Sequence, residues 1–442
     1  MRGRVGHDFD GAIAYRVGRA FAQFLNAKNI VVGCDVRLSS PLLKAALVEG
    51  ILDAGSNVVD LGVTGTEEIY FASFHLDVDG GIEITASHNP ADYNGMKFVG
   101  RGGRPIGIAD EFASIRKLAE GNVFTATPRR GQLSRTSLLK PYVEHVLGYI
   151  DVKSLRPRKL VVDAGNGAAG QVVDALEAKL PQIQFIKINH EPNGNFPNGV
   201  PNPLVPENRF LTSKAVKLHK ADIGVAWDGD FDRCFLFDEN GEYVSGYYLA
   251  GLLMSAFMTK YPGAKFVIDP RLFWNTLDIM KSGNHGFAMS RTGHTFFKEH
   301  MRRIDAVYGG ESSSHHYFRD FAYCDSGMIP WLLVVEYLGN SGKSLRELIE
   351  ARKAMFPCSD EINFKVADVP GTIERVLAIY RDQAVNIDFT DGLSVEFEAW
   401  RFNLRGSNTE ALLRLNIESR GDVGLVGAKA DEIAKLINNA TS

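Results

Sequence analysis

The chain has 442 residues, 45% of them hydrophobic and 23% charged, with 44 Gly and 17 Pro. That balance excludes a disordered, collagen-like or coiled-coil chain and provides apolar material for about two to four domains. A formal net charge of -4 excludes whole-chain binding to nucleic acid or a membrane surface, so any phosphate must be met by local clusters of Arg and Lys.

Four cysteines, Cys34, Cys234, Cys324 and Cys358, form no C-x-x-C pair and no zinc spacing, and are expected as reduced thiols. No apolar run reaches the ~18 residues of a membrane span. The opening MRGRVGHDFDG lacks the hydrophobic core of a signal peptide, so a cytoplasmic protein with no membrane partner is expected.

In chain order, NIVVGCD (29–35) predicts a strand that stops at a polar loop. SSP (39–41) then offers Ser caps and a Pro for the first turn of a helix over residues 42–54, with Gly55 suited to its C-terminus. NVVDLG (57–62) is the next strand. TATPRRGQLSRTS (125–137) is polar, basic and strand-poor, and reads as a linker. KLVVDAGNGAAG (159–170) predicts a strand, a glycine-rich turn and a helix over 172–180. DENGEY (238–243) is a turn. From Phe356 onward a smaller segment alternates a helix over 372–381 with strands around 393–397 and 411–417. The expectation is α/β architecture: three similar α/β domains and a smaller C-terminal α+β domain around a central cleft. The expected boundaries are 1–135, 136–239, 240–355 and 356–442.

Three apolar strands run into loops dense with functional side chains, where ligands bind in open α/β sheets. In GIEITASHNP (81–90), Ser87 beside His88 is either a nucleophile with an adjacent base or a turn rich in turn formers. It lacks the G-x-S-x-G elbow of an α/β-hydrolase. In DIGVAWDGDFDR (222–233), Asp228, Asp230 and Asp232 form a hard oxygen cluster for Mg²⁺ or Ca²⁺. Alternate side chains of a straight strand stand ~6.6 Å apart, so the loop must curl, and Gly229 is expected to allow it. An EF-hand is excluded by Arg233 at its sixth position. Arg233 beside the carboxylates suits a phosphate and points to phosphoryl transfer.

DAVYGGESSSHHY (305–317) offers Glu311, Ser312, Ser313 and His315, hydrogen-bonding groups suited to sugar hydroxyls or simply a polar loop. RGSNTE (405–410) sets Arg405, Ser407, Asn408 and Thr409 in one short turn, an anion nest or a capped turn.

Together TASHNP, DGDFDR, GESSSHH and RGSNTE resemble, in order and over essentially the whole chain, the phosphoserine, magnesium, sugar and phosphate-binding loops of the α-D-phosphohexomutase superfamily. The stretches EIYFASFHLDVDGGIEITASHNP and GGESSSHHYFRDFAYCDSGMIPWLL most closely resemble its bacterial phosphomannomutase branch. The resemblance implies that Ser87 carries the transferred phosphoryl group and, with Asp228, Asp230 and Asp232, holds Mg²⁺. It implies that Arg233, His88 and Arg2 act beside that group and that Lys97 moves a proton. Arg271 in DPRLF, His294 in RTGHTFF, Glu311, Ser313 and His315 would contact the sugar phosphate, and Arg405, Ser407, Asn408 and Thr409 its distal phosphate.

The implied reaction interconverts mannose 6-phosphate and mannose 1-phosphate through a 1,6-bisphosphate, with hexose 1,6-bisphosphate as activator. It would feed GDP-mannose and polysaccharide synthesis. A phosphoglucomutase or dual-specificity enzyme is the alternative, and a monomer or homodimer is expected. Two departures stand out. The family opens with a strand ending in an aromatic-Asp-Ile-Arg-Gly motif, of which only Arg2-Gly3 is present, so the strand holding Arg2 is expected to be missing, with either a weakened first domain or a start site placed too far downstream. Ser312 is neither the methionine nor the glutamate common at its position.

Overall fold

The structure is a computed structural model that describes residues 1–107, 110–406 and 412–438. Its backbone contacts divide it into two compact units, Met1–Val244 with His315–Leu345, and Ser245–Ser314 with Arg346–Ser442.

The first unit opens with β1 (Arg2–Arg4), α1 (Gly11–Leu25), β2 (Asn29–Cys34), α2 (Ser40–Asp53), β3 (Asn57–Val63), α3 (Thr66–His75), β4 (Gly80–Ile84), β5 (Tyr93–Gly100), α4 (Glu111–Gly121) and β6 (Leu133–Arg135). The sheet order is β1-β5-β4-β2-β3-β6. Its interior strands β4, β2 and β3 are parallel, and β5 turns back antiparallel to β4. Ile30, Val32, Ile82 and Ile84 from the strands meet Phe21, Leu43, Leu47 and Ile51 from α1 and α2 in one buried core.

The N-terminal strand is present after all: Arg2, Gly3 and Arg4 pair with Gly95, Asn94 and Tyr93 of β5. Three residues suffice because β5 already lies against β4 and offers its free edge. The linker reading of 125–137 is also corrected, since β6 within it pairs in parallel with β3. Pro41 does sit in the first turn of α2 and Gly55 does take a left-handed φ of 88° after it. The Ser caps do not form. Ser39 makes no side-chain cap, and Ser40 Oγ donates instead to Asp35 Oδ1 at 2.6 Å.

The same unit continues with α5 (Leu139–Leu147), β7 (Arg158–Asp163), α6 (Ala169–Glu177), β8 (Ile183–Ile188), α7 (Phe210–His219), β9 (Ile223–Trp227), β10 (Cys234–Phe237) and β11 (Tyr243–Val244). These build a second sheet, ordered β11-β10-β9-β7-β8, with β7, β8 and β9 parallel. β9 and β10 form a hairpin whose connection is the DGDFDR loop.

The second unit begins with α8 (Gly246–Lys260), β12 (Lys265–Ile268), α9 (Trp274–Met280), β13 (Gly286–Met289), α10 (His294–Ile304) and β14 (Tyr308–Gly310), with β12 parallel to both β13 and β14. β15 (His316–Phe318), β16 (Cys324–Asp325) and α11 (Met328–Ser341) then belong to the first unit.

After α12 (Leu345–Met355), the second unit closes with an antiparallel sheet. Its strands are β17 (Ile362–Lys365), β18 (Asn386–Asp388), β19 (Leu393–Glu396), β20 (Trp400–Gly406) and β21 (Leu412–Ser419), in the order β17-β21-β20-β19-β18. α13 (Val369–Tyr380) and α14 (Val423–Asn438) share its core of Phe402, Leu404, Leu413, Leu415 and Ile417.

Within this unit Glu418, fully buried on β21, accepts from Arg401 Nη1 at 2.8 Å, from the Tyr247 hydroxyl, and from the peptide N–H groups of Phe273 and Trp274 at the start of α9. Arg401 in turn donates to the carbonyls of Pro270 and Arg271 at 2.8 Å. A buried carboxylate is tolerable here because every oxygen is hydrogen-bonded and paired.

Candidate active site

In the first unit, β4 and the β9–β10 hairpin bring the first two sequence loops together. Ser87 is 2% exposed and sits at a left-handed φ of 52°, a conformation that costs a non-glycine residue ~1–2 kcal/mol. The surrounding hydrogen bonds hold it there. The Ser87 N–H donates to Thr85 Oγ1 at 2.8 Å, and its carbonyl accepts from Arg37 Nη2 at 2.9 Å. Arg37 also donates to the carbonyls of Asn89, Pro90 and Tyr93 at 2.6, 2.7 and 2.9 Å, so one buried guanidinium organises the whole serine loop.

The Ser87 hydroxyl donates to Asp228 Oδ2 at 2.8 Å. Arg233 holds the same carboxylate through Nε at 2.9 Å and Nη2 at 2.7 Å, and its Nη2 lies 3.4 Å from Ser87 Oγ. That Nη2 also donates to His88 Nδ1 at 2.5 Å. Burial first, then Arg233, push His88 down to about 2, so the imidazole is neutral and acts as an acceptor. Arg2 Nη1 donates to Asn89 Oδ1 at 2.6 Å, two residues beyond the serine.

Asp228, Asp230 and Asp232 are at most 2% exposed and offer oxygens within 4.8 Å of one another. The curl this requires falls on Phe231, at φ 44°, and not on Gly229, whose φ is not left-handed. Phe231 is held from outside: a Cβ at Gly65 would lie 2.1 Å from its ring, so only glycine fits at that position. The next residue, Thr66, opens α3 and donates its N–H to the Asp230 carbonyl at 3.1 Å and its hydroxyl to Asp230 Oδ2 at 2.6 Å.

Lys97, on β5, bridges Asp230 at 2.6 Å and Asp232 at 2.5 Å. Burial opposes its charge, but the two carboxylates outweigh burial and hold the ammonium protonated. Burial and then Asp230 raise Asp232 to about 6. Two buried oxygens, Asp230 Oδ1 and Asp232 Oδ1, have no hydrogen-bond partner among the described residues. Three acidic groups with orphaned hard oxygens fit a small divalent cation with oxygen preference.

His315 is placed with this cluster. Its Nδ1 pairs with Asp325 Oδ2 at 2.9 Å, its ligand atoms gather with those of Asp232 and Asp325 within 4.8 Å, and its backbone bridges to Arg233.

In the second unit, the ends of β12 and β14 and the start of α10 form another polar cluster. Arg271 is pinned to Asp269 by Nε at 2.8 Å and Nη2 at 2.5 Å. Ser312 donates both its N–H and its hydroxyl to Asp269, at 2.9 and 2.8 Å. Glu311 lies 3.7 Å from Arg271 and accepts from the Gly293 N–H at 3.3 Å and the Ser313 hydroxyl at 3.4 Å. Glu311 thus joins Arg271 to Ser313, and His294 is the first residue of α10. Arg405, on β20, contacts Glu361 at 3.1 Å. Ser407, Asn408 and Thr409 lie outside the described residues.

Sequence reasoning missed Arg37, Thr66, Asp269 and Asp325. Asp269 and Asp325 stood beside named motifs. Arg37 carried a weaker signal: an Arg two residues after an Asp, where an apolar strand ends in a loop.

Four domain models of one family match the chain in order. They are phosphoglucomutase/phosphomannomutase alpha/beta/alpha domains I, II and III over residues 1–124, 140–241 and 245–356, and the C-terminal domain over 361–436. A phosphomannomutase of Vibrio cholerae is 54% identical over 99% of this chain and 96% of that protein. One of Salmonella montevideo is 55% identical over 99% of this chain and 98% of that protein. Among solved structures, a phosphoglucomutase/phosphomannomutase family protein of Burkholderia thailandensis superposes with a TM-score of 0.89 at 30% identity, covering 100% of this chain and 97% of that one.

Proposed function

The chain belongs to the phosphoglucomutase/phosphomannomutase family and is a phosphomutase, and on that premise we propose that it interconverts mannose 6-phosphate and mannose 1-phosphate through a phosphorylated Ser87. The observation that carries this reading is the Ser87 hydroxyl, held by Asp228 and flanked by Arg233 in a buried site.

In the first half-reaction the Ser87 Oγ–P bond breaks and a sugar hydroxyl oxygen bonds to phosphorus, giving a 1,6-bisphosphate. The Ser87 oxygen leaves toward Arg233, whose guanidinium meets the charge spread over the transferring group. The hydroxyl's proton ends on the Ser87 oxygen, and Lys97, beside Asp230 and Asp232, is the group assigned to move it. His315, held by Asp325 at 2.9 Å, is a substrate contact in this reading. The second half-reaction returns the other phosphoryl group to Ser87, with hexose 1,6-bisphosphate as the activator that primes the serine.

Asp228, Asp230 and Asp232 would hold Mg²⁺ with an oxygen of phosphorylated Ser87, and the ion supplies charge neutralisation to the transferring phosphoryl group. Arg271, His294, Glu311 and Ser313 bind the sugar phosphate in this reading, and Arg405 with Ser407, Asn408 and Thr409 its distal phosphate. We assign the four segments 1–135, 136–239, 240–355 and 356–442 to serine, metal, sugar and distal-phosphate functions. A cytoplasmic place in GDP-mannose supply belongs to this reading; the four cysteines form no disulfide, and among the described residues no helix is long and apolar enough to cross a membrane.

One observation favours a second reading. The Ser312 hydroxyl is taken up by Asp269, leaving Glu311 and Ser313 as the polar side chains of that loop near Arg271, a set compatible with glucose phosphates as well. Intact mass of the purified protein and of Ser87→Ala, with turnover of mannose 1-phosphate and glucose 1-phosphate, tests both readings. One phosphate on the native chain, lost with activity in the variant, is expected. Mutase activity retained in Ser87→Ala would overturn the mechanism, and a clear glucose preference would overturn the sugar assignment.

A further inference from the structure

In the second unit, Arg405 on β20 and Arg414 on β21 are direct cross-strand partners. Like charges placed opposite one another destabilise a sheet unless an anion lies between them. That anion is Glu361, the residue just before β17. Its Oε2 lies 3.1 Å from Arg405 Nη2 and 3.6 Å from Arg271 Nη1, and its Oε1 lies 3.3 Å from Arg414 Nη1. Three guanidinium groups therefore converge on one carboxylate. Arg405 also faces Asp391, but at 3.9 Å, and the Nε atoms of Arg405 and Arg414 are buried without a hydrogen-bond partner among the described residues. Glu361 satisfies the cluster only in part.

The burial pattern sets Glu361 apart from the other acids around these arginines. Asp269 and Asp391 are buried at 5% and 8%, and Asp269 is fixed by Arg271 and Ser312, whereas the Glu361 side chain is 28% exposed. It is a carboxylate at the rim, able to swing into water without unfolding anything.

We infer that Glu361 is a built-in stand-in for the ligand's distal phosphate, holding the three arginines until that phosphate displaces it. The inference rests on the reading of Arg405 as part of the distal-phosphate site. A phosphate monoester carries about -1.5 to -2 charges and three acceptor oxygens, so it satisfies more guanidinium donors than one carboxylate can. Glu361 must move aside, and its charge then repels the bound phosphate. Binding is weakened and release hastened, which suits a site that must let go of one phosphate and take the other when the intermediate turns over. Glu361 is a positioning and affinity-setting residue, not a catalytic one.

The test measures mannose 6-phosphate binding by calorimetry in the non-transferring Ser87→Ala background, comparing Glu361→Gln, Glu361→Ala and Arg405→Ala, with melting temperatures taken without ligand. Both Glu361 variants are expected to bind about fivefold to tenfold more tightly, by removal of one facing like charge. Their unliganded melting temperatures fall, because three arginines lose their counterion. With Ser87 intact, Glu361→Gln lowers KM and kcat together as release slows. Unchanged or weaker binding in both Glu361 variants, while Arg405→Ala binds at least tenfold more weakly, would make Glu361 a mere brace and overturn the inference alone. Unchanged binding in Arg405→Ala would overturn the phosphate-site reading and the inference with it.

Discussion

Arg37 and Ser87 are joined by a hydrogen bond from a buried guanidinium to the serine's own carbonyl, at 2.9 Å. The Ser87 hydroxyl is therefore aimed through the backbone, by a residue 50 positions earlier that bonds to the carbonyl and not to the hydroxyl. Arg37 is 1% exposed and has Asp35 as its counterion at 3.2 Å.

Arg37→Ala strips four loop carbonyls of their donor and leaves Asp35 unpaired. Loss of one partner of a buried pair costs about 3–5 kcal/mol. The melting temperature is expected to fall by several degrees or more, and kcat by at least about a hundredfold with a smaller change in KM, because the serine loses its aim rather than the substrate its contacts. Steady-state kinetics and a thermal melt check both expectations. Arg37→Lys is expected to recover little, since one ammonium cannot serve five acceptors spread in a fork.

The left-handed φ of Ser87 gives a second prediction. Ser87→Gly and Ser87→Ala both lose the hydroxyl and its bond to Asp228, so they differ mainly in what the backbone tolerates at φ 52°. Ser87→Gly is expected to be the more stable of the two by about 1 kcal/mol, and neither to turn over substrate. Denaturant unfolding of the two variants decides this, and equal stabilities would mean the serine is not strained.

Glu68, on α3, accepts from the Gly65 N–H at 3.0 Å. Burial raises it from 4.5 to about 7, against the opposing pull of that N–H. A raised carboxyl favours the folded state while protonated, so its contribution is full below about pH 4.5 and is lost as pH rises to about 7. The loss amounts to about 3 kcal/mol at 1.36 kcal/mol per pKa unit. Glu68→Gln stays neutral and still offers a carbonyl oxygen to Gly65. The variant is expected to match the native protein near pH 4 and to exceed it in unfolding free energy at pH 8.

The three buried aspartates carry more negative charge than Lys97 and Arg233 return. Added Mg²⁺ is expected to raise the melting temperature, by about 2.7 kcal/mol of stabilisation at a hundredfold excess over its Kd. Asp232→Asn removes an orphaned oxygen donor and is expected to abolish most of that gain. EDTA is expected to stop turnover. A melting curve indifferent to Mg²⁺ in the native protein would refute the metal assignment.

Sequence legibility followed locality. Strands such as Asn29–Cys34 and Ile223–Trp227 were readable because their apolar runs are buried on both faces. The Asp228, Asp230 and Asp232 cluster was readable because its spacing lies within five residues. The first strand was not: Arg2–Arg4 has no strand pattern of its own and is held by the waiting edge of β5. Propensity points to Gly229 for the curl of the acidic loop, whereas Gly65, Phe231 and Thr66 fix it through packing across the fold. His315 was grouped with Glu311 by adjacency, and its bond to Asp325 depends on a hairpin that composition does not announce.

The Ser87–Asp228 bond closes a loop of 141 residues. A ribosome releases the serine loop well before it has made the carboxylate that orients its hydroxyl. A fragment ending before residue 228 contains Ser87, its left-handed turn and Arg37, but lacks Asp228 and Arg233. The serine hydroxyl and the carboxylate that accepts from it therefore meet only after the β9–β10 hairpin has been made.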